Sequence, residues 1–132
     1  MSYKIVLLPG DGIGPEVTDA AAQVMKVAAE SFNVLLEFKT ELIGGSSYEK
    51  NKTPLTDETI QACYDSDAVF LGSVGGPKWE SLPHKLKPEA GLLKLRKVLA
   101  LYSNIRPAKV YNALIDSSTL KKEVLRGTDF IV

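Results

Sequence analysis

The sequence predicts an α/β fold, a mixed, largely parallel sheet flanked by helices. Three observations carry that reading. Short apolar runs recur as strand candidates: KIVLL (Lys4–Leu8), VLLEF (Val34–Phe38) and AVFL (Ala68–Leu71). Stretches with apolar residues at helical spacing separate them. Strand–helix alternation at this interval indicates substantial parallel pairing.

Each element has a local reason. Lys4–Leu8 ends in Pro9-Gly10, and Pro15 then suits the first turn of a helix, where a missing N–H costs nothing. Val17, Ala20, Ala21, Val24, Met25 and Ala28 recur at helical spacing and continue that helix to about Glu30. Gly44-Gly45 breaks the chain after the second strand, and Ser46–Asn51 reads as a short helix. Thr56 is placed to cap a helix carrying Ile60, Cys63 and Tyr64. Residues 72–88 show no periodicity, and a loop of that length inside a compact domain is usually functional or disordered. The helix of EAGLLKLRKVLAL follows, with Leu92, Leu95 and Leu99 as its packing face and Val98 beside it. SNIRPAKVY is extended, Ser117 or Ser118 caps a helix through Leu125, and Thr128–Val132 starts another strand.

The 132 residues carry 16 basic and 16 acidic side chains with 45% hydrophobic content, a globular composition. Balanced charge supplies no electrostatic reason for nucleic acid or an anionic membrane as partner. No apolar run approaches the roughly 18–20 residues that span a bilayer, and MSYKIVLLPG lacks a signal-peptide cleavage pattern. Cys63 is the only cysteine and cannot form an internal disulfide, which favours a reducing, cytoplasmic setting. Cys63 and the lone His84 offer no metal-ligand cluster. There is no internal repeat or low-complexity tract.

Three motifs bear on chemistry. PGDGIGPE (residues 9–16) follows a strand and opens a helix, but Gly10, Gly12 and Gly14 have G-x-G-x-G spacing instead of the dinucleotide G-x-G-x-x-G. Asp11 and Glu16 also put carboxylates where a pyrophosphate would meet N–H groups. Read alone, the motif is a glycine turn capped by Pro15. In GGPKW, Gly75 and Gly76 allow close backbone approach to a ligand, Pro77 stiffens it, Lys78 adds charge and Trp79 a stacking face. Spacing alone equally allows a surface loop with one anchoring Trp.

On a helix, Glu89, Leu92, Leu93 and Arg96 form one stripe, and Arg106 follows before Pro107. Two guanidinium forks suit a dicarboxylate, and leucines beside them suit an apolar branch of the same ligand. The alternative is a solvated Arg96 and a surface Arg106.

LPGDGIGPEV, LGSVGGPKW, the E-x-G-L-L-x-L-R-K run and the N-I-R-P turn together resemble the 3-isopropylmalate dehydrogenases. These belong to the β-decarboxylating dehydrogenase family, with isocitrate, homoisocitrate and tartrate dehydrogenases. The resemblance runs through all 132 residues. It implies an NAD-dependent oxidative decarboxylation of 3-isopropylmalate in leucine biosynthesis, by a cytoplasmic homodimer using Mg²⁺ or Mn²⁺. By position it implies substrate binding by Arg96, Arg106, Leu92, Leu93 and Glu89, and cofactor contacts at Ile13, Gly75, Gly76, Pro77, Lys78, Trp79 and Glu89. It implies an N-terminal portion of that fold with the C-terminal part absent. Residues 1–105 are then the N-terminal part of the first, cofactor-side domain, and 106–132 begin the second. The catalytic tyrosine and lysine, a third arginine and the metal aspartates are expected beyond residue 132, so no catalytic or metal residue is assigned within the chain. The chain alone is accordingly expected to be inactive. The alternatives are a non-catalytic truncated gene product and a fragment of a related isocitrate, homoisocitrate or tartrate dehydrogenase.

Overall fold

Strands β1 (Ser2–Gly10), β2 (Leu35–Thr40) and β3 (Ala68–Ser73) pair in parallel, in the order β2-β1-β3. The computed structural model describes all 132 residues. The pairing β1–β2 sets Ile5 opposite Phe38, and β1–β3 sets Leu8 opposite Leu71. Because β1 lies centrally, Val6, Leu7 and Leu8 are buried. That explains the unbroken apolar run: a parallel strand covered on both faces has no polar side.

Because β1 lies between β2 and β3, the connections from β1 to β2 and from β2 to β3 run in opposite directions, which by the general right-handed rule sends them to opposite faces. The helix α1 (Gly14–Ser31) covers one face, where Lys26 lies 5.5 Å from the Phe38 ring centre. The other face meets α3 (Asp57–Tyr64) and α4 (Pro88–Val98). There Val6 and Leu8 join Ile43, Leu55, Ala62, Cys63 and Leu95 in the core, with Val69 and Leu71 packed against it.

Pro15 stands in the first turn of α1, as its sequence indicates, and the structure decides which face of the helix is buried. Gly14, Thr18 and Ala22 are buried, whereas Val24 and Val27 are 69% and 64% exposed and Val17 is exposed too. Backbone proximity decides this. Gly72 of β3 lies so near α1 that an added Cβ would come within 2.6 Å of Thr18 Oγ1. Only small residues fit along that line, and adjacent Ala and Val stripes did not reveal which faced inward.

Short helix α2 spans Gly45–Asn51. Thr56 caps α3 as its position suggests, accepting from the Thr59 N–H at 3.2 Å. In α4 the buried positions are Pro88, Gly91 and Leu95. Leu95 lies in the core and Val98 and Leu99 pack against it, as expected, whereas Leu92 is half-buried outside that cluster and Gly91 takes the inward position one turn before Leu95. The Tyr64 hydroxyl donates to the Val98 carbonyl at the end of α4. Residues 72–88 are not wholly irregular: β3 runs to Ser73, and 3-10 turns occupy Pro77–Trp79 and His84–Leu86.

The chain divides into two compact units, Met1–Ala100 and Leu101–Val132. In the second, β4 (Pro107–Lys109) pairs antiparallel with β5 (Asp129–Ile131). Arg106 and Val132 extend the ladder through two backbone bonds of 2.8 and 2.9 Å. Ile115 and Leu125 are its buried side chains. The expected serine cap is absent. A 3-10 turn occupies Asn112–Ser117, and α5 (Lys122–Leu125) starts after Lys121 without a side-chain cap. Ser118 Oγ instead accepts from the Leu120 N–H at 3.1 Å, a local turn that competes with helix initiation.

Candidate functional site

In an open parallel sheet, the reversal of strand order leaves a crevice outside the carboxyl ends of the strands. Here those ends belong to β1 and β3, and they are tied together. The Asp11 N–H donates to the Ser73 carbonyl at 2.6 Å, and the Ser73 hydroxyl donates to the Asp11 carbonyl at 2.8 Å.

The Asp11 side chain, 3% exposed, draws in the first turn of α2 as well as the loop after β3. Its Oδ2 accepts from the Gly45 N–H at 2.8 Å and the Gly75 N–H at 2.9 Å, and its Oδ1 accepts from the Ser46 N–H at 2.7 Å. From the sequence alone, Asp11 speaks only against a pyrophosphate at this turn. Its one local signal was an acid set between glycines with no basic residue beside it.

Ile13, the next residue but one, occupies the N-cap position of α1 with its side chain exposed at this end of the sheet. Gly75 has φ +102°, a conformation L side chains rarely adopt. A Cβ there would lie 2.5 Å from Glu89 Oε1, so the loop after β3 and the first turn of α4 meet at this point. Pro77 opens the 3-10 turn that carries Lys78 and Trp79. The Trp79 ring covers Gly45 so closely that no side chain fits beneath it, and Lys78 pairs with Glu49 of α2. Lys78 Nζ also lies 5.8 Å from the Trp79 ring centre. Trp79 is thus an anchor on one side, as the surface-loop alternative required. A cleft of about 270 Å³ opens between Gly76, Trp79, His84, Lys87 and Glu89. Another cavity of about 300 Å³, among Lys4, Glu37, Lys39 and Asp65, lies nearer the amino ends of the strands and contains none of the motif residues.

Along α4, Glu89 is exposed, Leu92 half-buried, Leu93 64% exposed and Arg96 half-buried. Leu93 therefore contributes little to the core. The chain's ion pairs leave out both Arg96 and Arg106. Arg106 belongs to the second unit, where its Nε donates to Asn104 Oδ1 at 3.2 Å. A guanidinium without a carboxylate partner, beside an exposed leucine, can bind an anion that carries an apolar branch. No group of three or more His, Cys, Asp or Glu side chains is arranged to hold a metal ion. No helix is long and apolar enough to cross a membrane.

The model of the isocitrate/isopropylmalate dehydrogenase family matches residues 4–132. Among relatives, the 3-isopropylmalate dehydrogenase of Chlorobaculum tepidum is 56% identical over 132 residues, covering 100% of this chain and 38% of its own length. That of Bacillus subtilis is 51% identical over 132 residues, again covering 100% of this chain, and 36% of its own length. The chain thus spans little more than a third of the curated relatives it matches. Among solved structures, isocitrate dehydrogenase from Methylococcus capsulatus superposes with a TM-score of 0.67 at 34% identity, covering 83% of this chain and 29% of that one. A β-decarboxylating dehydrogenase from Thermococcus kodakarensis gives 0.64 at 33% identity, covering 82% and 30%.

Proposed function

We propose, from the premise that this chain belongs to the isocitrate/isopropylmalate dehydrogenase family, that its residues build the substrate helix and dinucleotide-side loops of an NAD-dependent 3-isopropylmalate dehydrogenase. The observation that carries the substrate is the α4 stripe, where Leu93 is exposed beside an Arg96 outside every ion pair. Arg96 and Arg106 bind the carboxylates, each through a planar fork of N–H donors. Leu92 and Leu93 hold the isopropyl branch and reject a polar arm in its place, because that arm would lose its hydration there without gaining a partner. Residues 1–105 then belong to the cofactor-side domain and 106–132 to the start of the second.

Ile13 and the Gly75–Trp79 loop flank the dinucleotide, with Glu89 between it and the substrate. A glycine pair, an exposed apolar side chain and an adjoining cleft suit a flat, extended ligand. When bound, NAD supplies the acceptor for the hydride from the 2-hydroxyl carbon, and the resulting β-keto acid loses CO₂. The family resemblance implies Mg²⁺ or Mn²⁺ as well, which when bound would supply Lewis-acid chemistry at the substrate oxygens, and no step is routed through the ion here. A homodimer in the cytoplasm completes the reading, and the buried free thiol of Cys63 fits a reducing compartment.

The test is a chimera in which these residues replace the matching stretch of the Chlorobaculum tepidum relative, assayed by NADH formation. Preference for 3-isopropylmalate over isocitrate and malate is expected. A chimera that turns over isocitrate faster overturns the substrate assignment.

A further inference from the structure

We infer that Asp11 is a positioning residue whose carboxylate locks the Gly75–Trp79 loop onto α2 before any ligand arrives. Its bonds to Gly45, Ser46 and Gly75 span 34, 35 and 64 residues, so none belongs to a local turn. A buried carboxylate is costly unless its charge is compensated. Here no ion pair includes Asp11, and backbone N–H groups from the first turn of α2 and from the loop after β3 take that role. Hydrogen bonds to a charged acceptor are about twice as strong as neutral ones, which suits a single side chain holding a loop against a helix.

Two further contacts join the loop to α2 independently of Asp11. The Trp79 ring lies over Gly45, and Lys78 pairs with Glu49. Asp11 acts at the root of this arrangement, because its bond to the Gly75 N–H holds that residue at φ +102°. In that conformation Gly75 faces Glu89, with space only for a hydrogen between its Cα and the carboxylate. Asp11 therefore sets the separation of Glu89 from the loop backbone without touching a ligand itself. This rests on the proposed function only for what the loop receives; the lock itself stands on the hydrogen bonds.

Trp79 is the only tryptophan of the chain, so its fluorescence reports the loop directly. Asp11→Asn is nearly isosteric but turns one accepting oxygen into a donor and removes the charge. The expected result is Gly75 amide exchange faster by about tenfold or more, as for loss of a hydrogen bond to a charged group. Trp79 emission should shift to longer wavelength and become more open to acrylamide, while the Val6 and Leu8 amides keep their protection. Unchanged Gly75 exchange and Trp79 emission would overturn the inference. So would equal loss of protection through β1 in a variant that still folds, since Asp11 would then support the sheet as a whole. Should the variant not fold, the unmodified chain decides. There the Gly45, Ser46 and Gly75 amides should exchange together and slowly, and a Gly75 amide exchanging like an unprotected one removes the lock. No substrate enters these measurements, so they fail or succeed separately from the dehydrogenase reading.

Discussion

Gly75 donates its N–H to the Asp11 carboxylate at 2.9 Å across 64 residues of chain, and the same glycine abuts Glu89 on its other side. The loop after β3 is thereby held between the end of β1 and the start of α4. Its glycine content reflects contacts within the protein as much as access for a ligand.

Gly45→Ala places a methyl group where the Trp79 ring now lies. Overpacking of this kind typically costs about 1–3 kcal/mol. A lower urea midpoint together with a red-shifted Trp79 emission is expected. Unchanged emission would mean that the ring does not rest on Gly45.

Leu92 and Leu93 should separate in their effects. Leu93→Ala in the active chimera should lower kcat/KM for 3-isopropylmalate relative to malate by about 1–3 kcal/mol of discrimination. Its effect on stability should be small, because the side chain is largely exposed. Leu92→Ala should reduce both discrimination and stability, since Leu92 is half-buried. Equal losses on both substrates for Leu93→Ala would remove it from the pocket.

Arg96→Lys and Arg106→Lys should each impair turnover in the same chimera, because an ammonium cannot reproduce a bidentate fork. Lys94→Gln is the control. It breaks an exposed pair with Asp57 at 3.3 Å and should change little, within about 0.5 kcal/mol of stability. Wild-type kcat/KM in Arg106→Lys would make that residue a surface charge.

Thr56→Ala removes the acceptor for the Thr59 N–H. Loss of such a cap costs about 1 kcal/mol. Urea unfolding should show this as a shifted midpoint with an unchanged slope, and an unshifted midpoint would leave the cap without energetic weight.

The Cys63 thiol is pushed up from its ordinary value by burial and secondarily by the Glu41 carboxylate, against the opposing pull of Lys39. Below pH 9.0 both folded and unfolded chains hold the proton. Above it, the unfolded chain releases the proton while the folded one retains it, so stability falls as pH rises. Urea midpoints at about pH 8 and about pH 10, on either side of the ordinary thiol range, isolate the effect when compared with those of Cys63→Ala. A steeper alkaline decline in the unmodified chain is expected, and parallel declines would refute it.

The proportion of this fold legible in the sequence follows from the range of the interactions. Apolar runs such as Lys4–Leu8, the Thr56 cap and Pro15 in the first turn of α1 are local signals, and the structure contains the corresponding elements. The α/β class with a parallel sheet followed from their alternation. Helical spacing alone put Glu89, Leu92, Leu93 and Arg96 on one stripe of α4, and the family resemblance suggested a role for it. Tertiary structure decided which face of α1 turns inward, because the close approach of Gly72 admits Thr18 and not the neighbouring valines. It likewise decided the role of Asp11, whose three partners lie 34 to 64 residues away. A buried carboxylate and an exposed one are the same letter in sequence; only the arrival of distant N–H groups makes burial favourable.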